Sequence, residues 1–458
     1  MKLTVLSLQV VRRREKSGFV MAALLTIALM GCAAAPPAAP PAATAGSAAA
    51  STPEAPPAAQ VTPTQLPATA ASTAAIEKGE ATTQTLPSSF VQSNIAFGIS
   101  LLQQTAQREQ GNVFLSPSNV SIALAMTANG AQGDTFAAMR DVLAPSTASL
   151  ETFNAAYRAL QEKLTRSSDK VSVSLANALW AKADVSFNDE FLNRAQTIYE
   201  ARIDALDFSD PGAVNAINNW VRESTNGKID GIVEKLDPEL ILLLTSAIYF
   251  KAAWQNAFDP ASTLELPFTL PDGAQKQVPM MLRTGEMQYL KTDNAQLAQL
   301  AYADEATRMT VLLPDAGKTA DDVLASLTAV QWQTWQGDFG IKSGTLYLPR
   351  FKAETDVTLN DALSVLGLTL AFDAERADFS GMRPVPPQVF ISNVRHKAFI
   401  EVNEEGTEAA AATSVGMGAT SAEPASDTFE MLIDRPFVIM IEDIDTGLIL
   451  FAGLIREP

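Results

Sequence analysis

The sequence predicts an α+β fold with mainly antiparallel sheets, on three observations. Helical apolar spacing dominates from Ser88 to about residue 224, whereas strand-like runs crowd the second half. No strand–helix–strand alternation of the kind that builds parallel sheets is visible. The end, "FVIMIEDIDTGLILFAGLI", sets two apolar runs about Asp445-Thr446-Gly447 and reads as a hairpin.

The elements follow in order. "SSFVQSNIAFGISLLQQTA", from Ser88, has helical spacing, and "SPSNVSIALAMTANGA" (116–131) opens on a serine cap with Pro117 in the first turn and stops near Gly130. Further helices are expected around 135–143, 150–164, 188–199 and 212–224. Strands are expected at 171–181, 241–250, 309–314, 344–351 and 388–402, the last reading "QVFISNVRHKAFIEV".

The N-terminal part is of another kind. Basic Arg12, Arg13, Arg14 and Lys16 precede "FVMAALLTIALM" (19–30), too short to span a bilayer but suited to a signal-peptide core. The run ends in "LMGC", whose Cys32 is the only cysteine of the chain and so has no disulfide partner within it. The pattern resembles a bacterial lipobox, which implies cleavage before Cys32, lipidation of its thiol and export to the cell surface, the outer membrane or the extracellular space. Residues 33 to about 86 are Ala, Pro, Ser and Thr with scarcely any large apolar side chain, so they cannot offset the entropy of ordering. Three regions are therefore expected: a signal peptide (1–31), a disordered spacer (32–87) and a folded domain (88–458).

Charge and composition exclude several functions. The net charge of −18 over 458 residues argues against nucleic acid as a partner. One histidine, His396, lies inside a strand run, and no G-x-S-x-G elbow, H-E-x-x-H or other metal-ligand spacing occurs. Neither catalysis nor a metal is expected.

One segment fits none of these elements. "NEEGTEAAAATSVGMGATSAEP" (403–424) has no large apolar stripe, no Lys or Arg, and no proline before Pro424. Read as a strand, one face carries Thr407, Ala409, Ala411, Thr413, Val415, Met417 and Ala419, all small or apolar. The other carries Glu408, Ala410, Ala412, Ser414, Gly416 and Gly418. Such a strand could enter a central sheet position, where proline would remove a ladder donor.

"FIEVNEEGTEAAAAT", followed by a variable tail and then "DRPFVIMIEDIDTGLILFAG", resembles the hinge, reactive loop and C-terminal strands of a serpin. "NVFLSPSNVSIALAMTANGAQGDT", "NNWVRESTNGKI", "TSAIYFKAAW", "VPMM" and "LYLPRF" agree in the same order, so the resemblance covers roughly residues 88–458. It implies a serpin fold of three mainly antiparallel sheets and about eight or nine helices, with an exposed reactive-centre loop. It also implies a mechanism. A serine protease attacks the loop and forms an acyl-enzyme, and the cut loop inserts into sheet A and distorts the protease. Serpin loop insertion is itself a known example of strand addition to a sheet and of the release of stored strain. About a dozen new ladder bonds at ~1 kcal/mol each would supply on the order of 10 kcal/mol.

The resemblance assigns residues. The hinge is Glu404, Glu405, Gly406, Thr407, Glu408, Ala409, Ala410, Ala411, Ala412 and Thr413. The shutter beneath the opening sheet is Ser116, Asn119, Ser246 and His396, and Trp254 lies at the breach where the loop enters. Two of these depart from the family, which usually has a serine at Asn119 and an asparagine at Ser246; the amide and hydroxyl have changed places. The usual family spacing, seventeen residues counted from Glu404, puts the cut at Thr420-Ser421, with Ala419 and Met417 as alternatives. Trypsin-like pockets need Lys or Arg, and none occurs from Glu404 to Asp434, so an elastase-like or subtilisin-like target is expected. The alternative is a non-inhibitory binding or carrier serpin, against which the small residues of Ala409–Ala412 weigh. The expected partners are thus a covalently bound serine protease and, through Cys32, a membrane. A monomer without a cofactor is expected; "SLETFNAAYRALQEKL" (149–164) offers no basic face to a heparin-type one.

Overall fold

The computed structural model describes residues 86–145, 147, 149–165, 170–384, 388–407 and 428–458. These belong to one unit, Gln60–Pro458. The expectations for the signal peptide, the spacer, Cys32, hinge residues Glu408–Thr413 and the cut-site candidates Met417, Ala419, Thr420 and Ser421 lie outside the described residues.

In chain order the elements begin with α1 (Ser88–Ala106), β1 (Val113–Leu115), α2 (Pro117–Ala128), α3 (Gly133–Leu143), α4 (Leu150–Leu164), β2 (Val171–Lys182), α5 (Asp189–Tyr199), β3 (Arg202–Leu206), α6 (Pro211–Ser224) and β4 (Leu242–Ala253). Next come β5 (Leu264–Thr269), β6 (Gln275–Lys291), β7 (Ala295–Ala301), β8 (Thr307–Pro314), α7 (Ala320–Ser326) and α8 (Ala329–Asp338). The last are β9 (Gly340–Pro349), β10 (Phe351–Thr358), α9 (Asn360–Leu363), β11 (Asn393–Val402), β12 (Gly406–Thr407), β13 (Phe429–Leu432), β14 (Phe437–Asp443) and β15 (Ile449–Ile455).

Caps account for several helix starts. Ser116 accepts from the Asn119 N–H at 3.2 Å ahead of Pro117, and α2 is buried along its whole length, as its near-continuous apolar sequence requires. Asp210 caps α6 with Pro211 in its first turn. The terminal hairpin closes where Asp443 Oδ1 accepts from Thr446 N–H at 3.0 Å and Gly447 takes φ 71°, a conformation glycine adopts freely.

Two sheets result. One has the order β10–β11–β12–β4–β2–β3, with β11 also pairing β4 directly. The other holds nine strands, β1–β15–β14–β8–β7–β6–β9–β13, with β5 also on β6. Two of the three expected sheets are continuous here because β6 is long enough to pair β5 along its start, β9 from Met280 to Tyr289 and β7 at its end. The main core lies between helices α1, α2 and α4 and the strands of both sheets. A second apolar cluster lies between α6, the segment after it, and strands β2 and β4.

Two strand expectations need correction. Residues 344–351 do not form one strand. The chain turns at Arg350, whose N–H bonds Pro279 O at 2.9 Å; β9 stays in the nine-stranded sheet and β10 joins the other. Alternation continues through the corner, so periodicity alone does not reveal it. Likewise β11 begins at Asn393, not 388, because Ile391 N–H bonds Ala371 O at 3.0 Å and Ser392 Oγ accepts from Ile241 N–H.

Candidate functional site: a slit in the six-stranded sheet

The site is a seam. β4 and β11 pair in parallel from Leu243 and Asn393 to Tyr249 and Phe399. Beyond that level Gly406 and Thr407 stand between them, antiparallel to both: Thr407 lies opposite Ala252 on one side and Val402 on the other. Asn403 makes the reversal. Its Oδ1 accepts from the N–H groups of Glu405 (3.0 Å) and Gly406 (3.2 Å). Gly406 has φ 154°, and a Cβ there would lie 2.1 Å from Ala252 O, so glycine alone fits.

Trp254 anchors the mouth of the seam. Its indole Nε1–H donates to Asn403 O at 3.0 Å, its backbone N–H to Glu405 O at 2.9 Å, and its ring stacks on Tyr302 at 4.6 Å. The Tyr302 hydroxyl meets Thr407 Oγ1 at 2.8 Å, and both residues are 0 % exposed. The Glu404 carboxylate accepts from Arg350 Nη2 at 2.6 Å and Nε at 2.8 Å, and from the Thr263 hydroxyl. Burial alone would raise its pKa, but the hydrogen bonds from Arg350 and Thr263 outweigh burial and hold it below the usual carboxylate range.

Deeper in the seam, three strands and a helix meet. Asn177 of β2, Ser246 of β4 and His396 of β11 lie in register across the sheet. Below them the Ser116 N–H donates to His396 Nε2 at 3.2 Å, which makes that nitrogen the acceptor. Nδ1–H then donates to Ser246 O at 2.9 Å. The bond to Nε2 needs the neutral ring, and burial lowers the imidazole pKa to about 4, opposed by the bond to Ser246. Asn119 Nδ2 donates to Ser246 Oγ at 2.9 Å, and Asn177 Nδ2 to Asn119 Oδ1 at 2.6 Å. The exchanged amide and hydroxyl thus face each other and bond.

A family model described as Serpin (serine protease inhibitor) matches residues 92–458. The chain is a member of the serpin family. Antithrombin-III of Mus musculus is 32 % identical over 381 residues, covering 80 % of this chain and 81 % of that one. Among solved structures, the thermophilic serpin tengpin in its native state aligns with TM-score 0.76 at 32 % identity, covering 82 % of this chain and 96 % of its own. Thyroxine-binding globulin, solved with thyroxine, aligns with TM-score 0.72 at 28 % identity over 80 % of this chain and 99 % of its own. The family is one of protease inhibitors rather than catalysts. Among the described residues of this serpin, no His, Cys, Asp and Glu grouping could hold a metal ion.

The expected residues fall into two groups in this serpin. Ser116, Asn119, Ser246 and His396 converge beneath the seam, and Glu404, Glu405, Gly406, Thr407 and Trp254 converge at its mouth. Sequence reasoning missed Asn177, Tyr302, Arg350 and Thr263. Each reaches its partner across a long chain separation, such as the 105 residues between Tyr302 and Thr407, and no local pattern marks them.

Proposed function

We propose that this serpin is a suicide-substrate inhibitor of an elastase-like or subtilisin-like serine protease. It traps the acyl-enzyme by inserting its cut loop between β4 and β11. One observation carries the reading: the hinge residues Gly406 and Thr407 are already held in the seam, in antiparallel pairing with its two strands. Continuing that register six positions brings Thr413 opposite Ser246 and His396, on the face that Thr407 presents to the core. As the strands part, the bond from His396 to Ser246 breaks, and the Thr413 hydroxyl arrives in its place. The proline-free run of small residues in between supports unhindered zippering. In this reading the folded domain is held to a membrane by a lipid on Cys32, with residues 33–87 as spacer.

Incubation of the full chain with elastase-like, subtilisin-like and trypsin-like proteases tests this. SDS-stable complexes are expected with a member of the first two classes and not with trypsin. Mass spectrometry of the released C-terminal fragment is expected to place the cut between Met417 and Ser421. Cleavage without complex formation by any of them, and without thermal stabilisation of the cut form, would favour the non-inhibitory reading.

A further inference from the structure

His396 has a neighbour that the mechanism above leaves unused. Successive strand residues point to opposite faces, so Arg395 projects from β11 on the face away from the His396 cluster. There its Nε donates to Ile232 O at 3.3 Å, its Nη1 to Thr358 Oγ1 at 2.9 Å, and its Nη2 pairs with Asp356 Oδ1. Asp356 and Thr358 belong to β10, on the same side of the seam as Arg395.

Ile232 belongs to the other side. It lies in the segment that follows α6 and crosses the sheet, and it is 1 % exposed. It belongs to a buried apolar cluster that includes Leu243 and Ala247 of β4 and Ala176, Ala178 and Trp180 of β2; none of that cluster comes from β10 or β11. Asn218 of α6 fixes the same segment, its Oδ1 accepting from Ile232 N–H at 2.8 Å and Val233 N–H at 3.1 Å. The segment therefore travels with β2, β4 and α6, whereas Arg395 travels with β10 and β11.

We propose that Arg395 is a latch across the seam, and that breaking its bond to Ile232 O is part of the barrier to loop insertion. Arg395 stands at the level of Thr245, inside the stretch where β4 and β11 pair directly. A strand entering there moves β11 from β4 by about 4.8 Å. A 3.3 Å hydrogen bond between groups fixed to opposite sides cannot follow. The Asp356 carboxylate and Thr358 hydroxyl hold the guanidinium in position, so Arg395 acts by positioning the covering segment and touches neither loop nor protease.

The proposal rests on the insertion mechanism, and the test separates the two. The rate at which the full chain gains thermal stability after cleavage in the loop is measured for wild type, Arg395→Gln, Asp356→Asn and Lys397→Gln. Arg395→Gln is expected to insert roughly three- to tenfold faster, the equivalent of one ordinary hydrogen bond. Asp356→Asn should show a smaller gain and keep the proposal testable if Arg395→Gln folds poorly. Lys397 pairs with Glu354 at 2.8 Å and Asp356 at 3.7 Å on the same two strands. Its Lys397→Gln variant removes charge from β11 without removing the Ile232 bond, and should insert at the wild-type rate. Equal rates for wild type and both Arg395 and Asp356 variants would overturn the latch, as would equal acceleration by Lys397→Gln. Absence of any stabilisation in wild type would instead overturn the insertion mechanism.

Discussion

The His396 ring is wedged between Ser116 N–H and Ser246 O, and only the neutral form can make both bonds, because Nε2 accepts from Ser116. Its pKa is lowered from 6.5 to about 4 by burial. Between those values the unfolded chain holds a proton that the folded chain does not, so this contribution to stability is complete above pH 6.5 and is lost as pH falls towards 4. The full loss is about 3 kcal/mol. Thermal midpoints of wild type should fall over that window more steeply than those of His396→Gln, which starts lower but lacks the titration; parallel profiles would refute this. A second prediction concerns Thr407, 0 % exposed with its hydroxyl on Tyr302. Thr407→Arg would bury an unpaired guanidinium there, at a cost of several kcal/mol. Cleavage should continue while SDS-stable complexes and the stabilisation after cleavage disappear. Undiminished complex formation by this variant would count against insertion through the seam.

At the scale of elements, β12 is two residues long and already sets the register of everything that could follow it. In the insertion proposed above, a strand continuing that register would replace the direct pairing of β4 with β11 between Leu243 and Tyr249. The exchange would turn one parallel ladder into two antiparallel ones, so hydrogen bonds would be gained. Under that proposal the level that Thr413 would reach is the costly one, because the buried polar groups of Ser246 and His396 would lose each other there. Thr413→Val keeps the shape and removes the hydroxyl. Its cut form should be less stable than wild type by about 1–3 kcal/mol, with the uncut forms alike, as read from unfolding of both. An equal stability of the cut forms would place Thr413 elsewhere. The alternation of small residues from Thr407 onward was legible because strand period is local. The corner at Arg350 was not, since β9 and β10 both alternate and differ only in which sheet accepts them.

For the whole molecule, no helix among the described residues is long and apolar enough to cross a membrane. Cys32→Ser is expected to release an otherwise membrane-bound protein, measured by detergent phase partitioning. Wild-type protein found in the aqueous phase would refute the lipid anchor. The net charge of −18 adds a general repulsion from anionic surfaces, which a covalent anchor would overcome and a weak electrostatic contact would not.

By itself the sequence determined the early helices, several of the strands and the family. The cap at Ser116, the period-two runs and the turn at Gly447 are local features, encoded in neighbouring residues. The resemblance then named His396, Ser246, Asn119 and Ser116 as neighbours before any contact was known. Only the tertiary structure decided what those neighbours do to one another. It set the tautomer of His396 by the bonds on each side of the ring, and it added Asn177. It also showed that Glu404 is held by Arg350, and that Arg395 reaches from one side of the seam to a carbonyl on the other. These are meetings of side chains far apart in the chain, brought together by strand register and packing, and a single sequence carries no local signal of which long-range partner a polar group will find.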